Sequence, residues 1–98
     1  MLNLQRACES AIDLANYEVR KRKLGIPQSS REGFDLLCNA SIIPSDLSER
    51  LKRMIGFRNL AVHEYSALSL EIVESIVKEN LNDFLAFTSI IIRSNSKE

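Results

Sequence analysis

The sequence predicts an all-α bundle of four helices. Apolar residues recur at helical spacing along most of the chain, no segment keeps strand-like alternation, and the few glycines and prolines fall mainly between the periodic segments. The first helix is expected over approximately 2–23, with Leu4, Ala7, Cys8, Ala11, Ile12, Ala15 and Val19 on one face. The cations Arg20 to Lys23 suit its last turn, where the helix dipole favours positive charge, and Gly25 and Pro27 end it. Ser29 followed by Glu32 reads as a capping box opening a short helix over about 30–40, with Phe34, Leu37 and Cys38 as its apolar stripe. Pro44 and Ser45 open the third helix, with serine as the cap. Its stripe of Leu47, Leu51, Met54, Ile55 and Leu60 passes Gly56, a position that either loosens the helix or admits another backbone. Ser69 is the expected cap of the last helix, whose stripe is Leu70, Val73, Ile76, Val77, Leu81, Phe84, Leu85 and Ile91.

Ninety-eight residues, 45% of them hydrophobic, fill one small domain and exclude a multidomain enzyme. Thirteen Lys and Arg balance thirteen Asp and Glu, so binding to nucleic acid has to come from a local patch. Residues 1–58 hold ten basic and seven acidic residues and residues 59–98 hold three and six, a mild asymmetry. The N-terminal segment meets Arg6 before an apolar run develops, unlike a secretory signal, and Phe84 to Ile92 is too short and too interrupted by Thr88 and Ser89 to span a bilayer. The chain therefore reads as soluble and cytoplasmic, with no membrane partner. Cys8 and Cys38 read as small apolar-face thiols, and a single histidine without a paired cysteine motif argues against a zinc site. The long stripes on the first and last helices offer more apolar surface than one copy covers, for which a homodimer is the simplest remedy. A monomer with an apolar surface is the alternative.

The chemistry is concentrated in Met54-Ile55-Gly56-Phe57-Arg58-Asn59-Leu60-Ala61-Val62-His63-Glu64-Tyr65. Read by itself, a lone histidine near a helix end can equally be a dipole partner or a structural residue. GFRNLAVHEY resembles the signature of the HEPN superfamily, in which arginine, a polar residue and a following histidine form the active centre of RNA-cleaving toxins; here these are Arg58, Asn59 and His63. Tyr65 narrows the resemblance to the HepT-like branch encoded beside MNT-type nucleotidyltransferases. LNLQRACESAIDLAN, the Gly25-Ile26-Pro27 and Ile42-Ile43-Pro44 segments and the run from Leu51 to Tyr65 are similar to that branch as well. The resemblance implies one HepT-like domain over 1–98, lacking the additional N-terminal helix that family members usually carry. It also implies a toxin that cleaves RNA as a homodimer and is neutralised when an MNT-type antitoxin transfers AMP to Tyr65. No cofactor is implied.

The residues suit that chemistry. His63, with a reference pKa of about 6.5, exchanges protons near neutrality, and the guanidinium of Arg58 can hold phosphate oxygens bidentately. Asn59 lies one helical step of four before His63 and is read as a positioning residue. Arg58 and His63 stand roughly 140° apart around an ideal helix. Either the helix breaks before His63 or two copies assemble the cleft, which would also let one histidine act as base and the other as acid. Asp13 is a candidate buried-side carboxylate that would orient Arg58 or His63, the alternative being an exposed helix charge. Arg20 to Lys23, with Arg50, Lys52 and Arg53, are candidates for a phosphate-attracting rim, and solvated helix faces account for them equally well. The rival to the enzyme is a non-catalytic helical binding subunit of a nucleotidyltransferase complex, in which Arg58 and His63 hold nucleotide or the dimer.

Overall fold

The computed structural model of the chain describes residues 4–64 and 70–96. These form four helices, α1 (Leu4–Lys21), α2 (Glu32–Asn39), α3 (Ser45–Glu64) and α4 (Leu70–Ser96). The all-helical expectation holds, and the departures lie at the helix ends and on one face of α4. Among the described residues no helix is long and apolar enough to cross a membrane.

Small residues set the spacing around α1. Ala7, Cys8, Ala11, Ala15 and Val19 are all buried, so α1 meets its neighbours with little side-chain bulk. The Cys8 thiol donates to the Met54 carbonyl of α3 at 3.7 Å, and Cys8 and Cys38 are both free thiols. On the α2 side, a Cβ built on Gly33 would stand 2.9 Å from Asn16 Oδ1 and 3.4 Å from Ala15 Cβ, so glycine is what lets α2 lie this close to α1.

α1 ends two residues earlier than the charge block suggests, and Gly25 is not what ends it. Lys23 takes the left-handed backbone conformation, φ 57°. The Lys23 N–H donates to the Arg20 carbonyl and the Leu24 N–H to the Val19 carbonyl, at 3.2 and 3.0 Å. This is a Schellman closure, which satisfies the last carbonyls of a helix and places an apolar residue back on the core; Leu24 is that residue. The same arrangement closes α2, with Ser41 at φ 62°. There the Ser41 N–H donates to Cys38 and the Ile42 N–H to Leu37, and Ile42 packs on the core. At the start of α2 the Ser29 hydroxyl accepts the Glu32 N–H at 3.3 Å, one half of the expected capping box. The helix begins only at Glu32, because Ser30 and Arg31 form a turn and Arg31 occupies the N-cap without a side-chain cap bond. At α3 the cap position belongs to Pro44, whose carbonyl accepts the Ser48 N–H at 3.0 Å, while Ser45 is already helical. Ser69 lies outside the described residues.

The core is closed by Phe34 of α2 and Phe87 of α4, both fully buried, meeting edge to face with ring centroids 5.5 Å apart at 74°. Phe87 was absent from the expected α4 stripe, and Leu85, which was included, is 58% exposed. The helix is turned so that Asn80, Asp83, Phe87 and Ile91 face inward. Two polar residues in that row hide it from a search for apolar spacing. Asp83 is tolerated there because Arg50 Nε of α3 donates to its Oδ1 at 2.9 Å. The consequence is exposed apolar surface at Leu85 and Ile92 on α4, with Tyr17 on α1 and Ile26 in the following loop also exposed.

The far end of the bundle is held by a polar clasp. Glu18 is buried, and its Oε1 pairs with Arg22 Nε at 2.9 Å. Its Oε2 accepts from Asn95 Nδ2 at 3.3 Å. Asn95 Oδ1 in turn accepts from Lys21 and Arg22, and Arg22 also reaches the Ser94 hydroxyl.

The register of α4 is tested by paired truncations. Phe87→Ala should cost about 3–5 kcal/mol through the lost burial and the cavity left behind, whereas Leu85→Ala should stay within about 0.5 kcal/mol, both read from urea unfolding. The reverse order would place Leu85 in the core.

Candidate functional site

α3 carries Arg58, Asn59 and His63, and it is helical without interruption from Ser45 to Glu64. The helix therefore does not break before His63. Its rotation is fixed upstream, where Leu47, Leu51, Met54 and Ile55 are buried. Position 58 follows Leu51 by seven, Met54 by four and Ile55 by three, so by register it continues the core-facing row. Positions 59 and 63 follow Lys52 and Gly56 by seven each, so they continue a different, partly exposed side of the helix. By register alone, the arginine and histidine positions of one α3 stand roughly 140° apart around the helix axis. Tyr65 lies outside the described residues.

Gly56 neither breaks α3 nor admits a neighbouring backbone. A Cβ there would meet only Arg31 Nη1, at 3.7 Å, an ordinary contact. What lies beside Gly56 is a polar groove of about 620 Å³ between the start of α2 and α3, with Arg31, Asp35, Glu49, Lys52 and Arg53 on its walls. The register from Lys52 and Gly56 leads along α3 to Asn59 and His63. Arg31 was not among the sequence candidates. It is a lone cation in a turn, and only the packing of α2 on α3 brings it to this groove.

The expected basic rim is compensated at Arg22, Arg50 and Lys52. Arg50 pairs with Asp46 at 3.0 Å and with Asp83 at 2.9 Å, which hold its guanidinium above its ordinary value, Asp46 most strongly. Asp46 is correspondingly held below the usual carboxylate range by its hydrogen bond from Arg50. Lys52 donates to Asp35 at 2.7 Å and pairs with Glu49 at 3.0 Å, and these raise its ammonium above the ordinary lysine value. Lys21 and Arg22 are used in the clasp on Glu18 and Asn95. The cations with no ion pair among the described residues include Arg20, Lys23, Arg31 and Arg53, all exposed.

Asp13 is exposed on α1, the second of the two readings that the sequence left open for it. Two residues beyond Ala11 turn the helix by about 200°, away from the buried row. A carboxylate there keeps its water.

The model of the family described as ribonuclease HepT-like matches residues 1–91 of the chain. This chain belongs to the HepT-like ribonuclease family. The mRNA nuclease HepT of Shewanella oneidensis is 50% identical to it over 91 residues, which are 93% of this chain and 68% of that protein. Among solved structures, the tri-AMPylated HEPN toxin of Shewanella oneidensis in complex with its MNT antitoxin superposes with a TM-score of 0.81 at 49% identity, covering 92% of this chain and 68% of the toxin. A toxin–antitoxin structure with AMP-PNP gives 0.80 at 48% identity, with the same coverage. The HepT-like signature residues thus sit on the third helix of this chain, with α1 and α2 packed around its first half.

Because Gly56 is an interior helix position without a close neighbour, Gly56→Ala should stabilise the chain by about 0.5–1 kcal/mol. Thermal melting should then shift upward by several degrees. A lower melting temperature would show that something approaches this position more closely.

Proposed function

We propose that this HepT-like chain is the toxin of a toxin–antitoxin pair, an endoribonuclease that works without a metal ion and as a homodimer. The observation that carries the reading is the unbroken α3 across Arg58 and His63 in a chain of the ribonuclease family. The two positions diverge by roughly 140° on that helix, so two copies related by a two-fold axis are the natural way to gather two arginines and two histidines around one phosphate.

In this reading the 2′-hydroxyl of the RNA attacks the adjacent phosphorus. His63 of one copy removes the hydroxyl proton as the new P–O bond forms. His63 of the other copy donates a proton to the departing 5′-oxygen as the P–O5′ bond breaks, so one histidine gains a proton and the other loses one. Arg58 holds the non-bridging oxygens as negative charge builds on them. Asn59, one turn before His63, positions the imidazole or the phosphate. The products are a 2′,3′-cyclic phosphate and a 5′-hydroxyl. Asp13, being exposed, enters this scheme only where a second chain covers it.

The regulatory part rests on the relatives. The Shewanella oneidensis toxin is AMPylated in a complex with an MNT antitoxin, and the tyrosine that follows the motif here is Tyr65. An MNT-type partner would transfer AMP from ATP to its phenolic oxygen, releasing pyrophosphate, and the added phosphate would repel RNA two residues from His63. The non-catalytic alternative has against it that the family is one of ribonucleases.

Arg58→Ala and His63→Ala should each lower RNA cleavage by at least about a hundredfold while keeping helical content. Wild-type cleavage should persist in EDTA and leave cyclic phosphate ends. A strict requirement for added Mg²⁺, or 5′-phosphate products, would reject the mechanism. For Tyr65, mass spectrometry of the chain co-expressed with its partner should show AMP-sized adducts that disappear in Tyr65→Phe, with toxicity no longer neutralised. An unchanged adduct in that variant would move the modification elsewhere.

A further inference from the structure

A second cavity, of about 600 Å³, lies between the C-terminal half of α1 and the loop that leads to α2. Its charged lining residues are Arg20 and Lys23, with no carboxylate among them. Neither has an ion pair among the described residues; of the two residues between them, Arg22 pairs with Glu18 and Lys21 hydrogen-bonds the Asn95 amide oxygen in the clasp. The helix thus turns Lys21 and Arg22 into the clasp and leaves Arg20 and Lys23 bordering a concavity.

The rest of the wall is donor-rich on one side and apolar on the other. Asn16 lines the cavity, and its Oδ1 is buried beside Gly33 without a hydrogen-bond partner among the described residues. The hydroxyls of Ser29 and Ser30 are also on the wall. Ile12 and Pro27, both partly exposed, supply an apolar surface, and Ile26, 80% exposed, stands at the lip. The loop is shaped by the left-handed Lys23, by Gly25 at φ 134°, where a side chain would be strained, and by the Gln28 amide donating to the Ile26 carbonyl. The cavity is therefore preformed. A ligand that matches it carries negative charge, hydrogen-bond acceptors and a flat apolar face, which is the description of a nucleotide.

The cavity also connects to the groove on α3, because Ser29 lines both. In that groove Arg31 and Arg53 are the cations without an ion pair among the described residues, and it reaches Gly56. From Gly56 the register of α3 reaches His63 about 10 Å further along the axis. Uncompensated cations thus recur along a line from Arg20 and Lys23, past Arg31 and Arg53, to the motif positions. A chain with a phosphate at every repeat fits such a line better than an acidic peptide, whose charges need not recur.

We propose that the cavity holds one nucleotide of a single-stranded RNA, whose backbone then follows the Arg31 and Arg53 groove to the scissile phosphate at Asn59 and His63. This rests on the ribonuclease reading above and adds to it how the substrate is held. The base sits unstacked against Ile26 and Pro27, and its phosphate lies between Arg20 and Lys23, so the cavity selects single strands.

The test uses a ten-nucleotide 2′-O-methyl RNA, which lacks the attacking hydroxyl, and fluorescence anisotropy with the full chain. The double variant Arg20→Gln/Lys23→Gln should weaken binding about tenfold and reduce the salt dependence by about 1.4, two charges at roughly 0.7 each. Ile26→Glu should weaken it comparably. All three sites are exposed, so melting temperatures should stay unchanged. On cleavable RNA, the loss in kcat/KM should be several-fold larger for ten nucleotides than for a dinucleotide too short to reach the cavity. Unchanged affinity and salt slope in both variants would overturn the proposal. Unchanged RNA binding with lost binding of the nucleotidyltransferase would overturn it in favour of a protein ligand. A chain that binds RNA through these residues yet cleaves none would uphold the cavity assignment and reject the ribonuclease reading instead.

Discussion

The candidate site depends on the rotation of α3 about its own axis, and buried side chains set that rotation. Leu47, Leu51, Met54 and Ile55 are sealed in the core, and the Met54 carbonyl is contacted by the Cys8 thiol at the point where α1 crosses. Because α3 continues as a helix to Glu64, every later position inherits its direction from this row. Burial of four large side chains, each worth roughly 1.5–3 kcal/mol, thereby holds in register residues that take no part in that burial. A one-residue slip of the helix would move position 63 by about 100°. A change far from Arg58 and His63 can alter their direction without touching either.

The small side chains of α1 serve the same end. Alanines at 7, 11 and 15 let α1 lie close to its neighbours, and Gly33 does the same for α2. This proximity places the turn at Ser29–Arg31 against α3 and so forms the groove beside Gly56. Charge is then distributed by pairing. Arg50, Lys52, Lys21 and Arg22 hold helices together, and Arg20, Lys23, Arg31 and Arg53 border the two concavities. With a formal net charge of zero, the chain gains local positive potential only through this division.

Much of the fold was legible in the sequence because three of the helices announce their buried faces with uninterrupted apolar or small residues. What was hidden has physical causes. Both Schellman closures use non-glycine residues, Lys23 and Ser41, whose left-handed conformation is sustained by the apolar residue that follows each of them, and no local signal marks them. The inward row of α4 contains Asn80 and Asp83, and the Asp83 carboxylate became acceptable in the interior only once Arg50 arrived from another helix. At the site, the motif and its spacing were legible, as was the 140° divergence. The pairing of Arg22, Arg50 and Lys52 within the basic rim and the arrival of Arg31 were not, since each is a matter of which side chains meet once the chain has folded.

The clasp of Glu18, Arg22 and Asn95 joins residues 72 to 77 positions apart, nearly the length of the chain. Closing so long a loop carries an entropy cost that has to be met before the hydrogen bonds return anything, so these contacts form after the helices have already packed. Interactions that are absent from the folding transition state leave the folding rate almost untouched and act instead on the rate of unfolding. The clasp is thus a device of lifetime. It governs how long the end of α4 stays against α1 once the bundle has formed, and with it how long a chain whose opposite end carries the reactive motif persists before a protease finds it open.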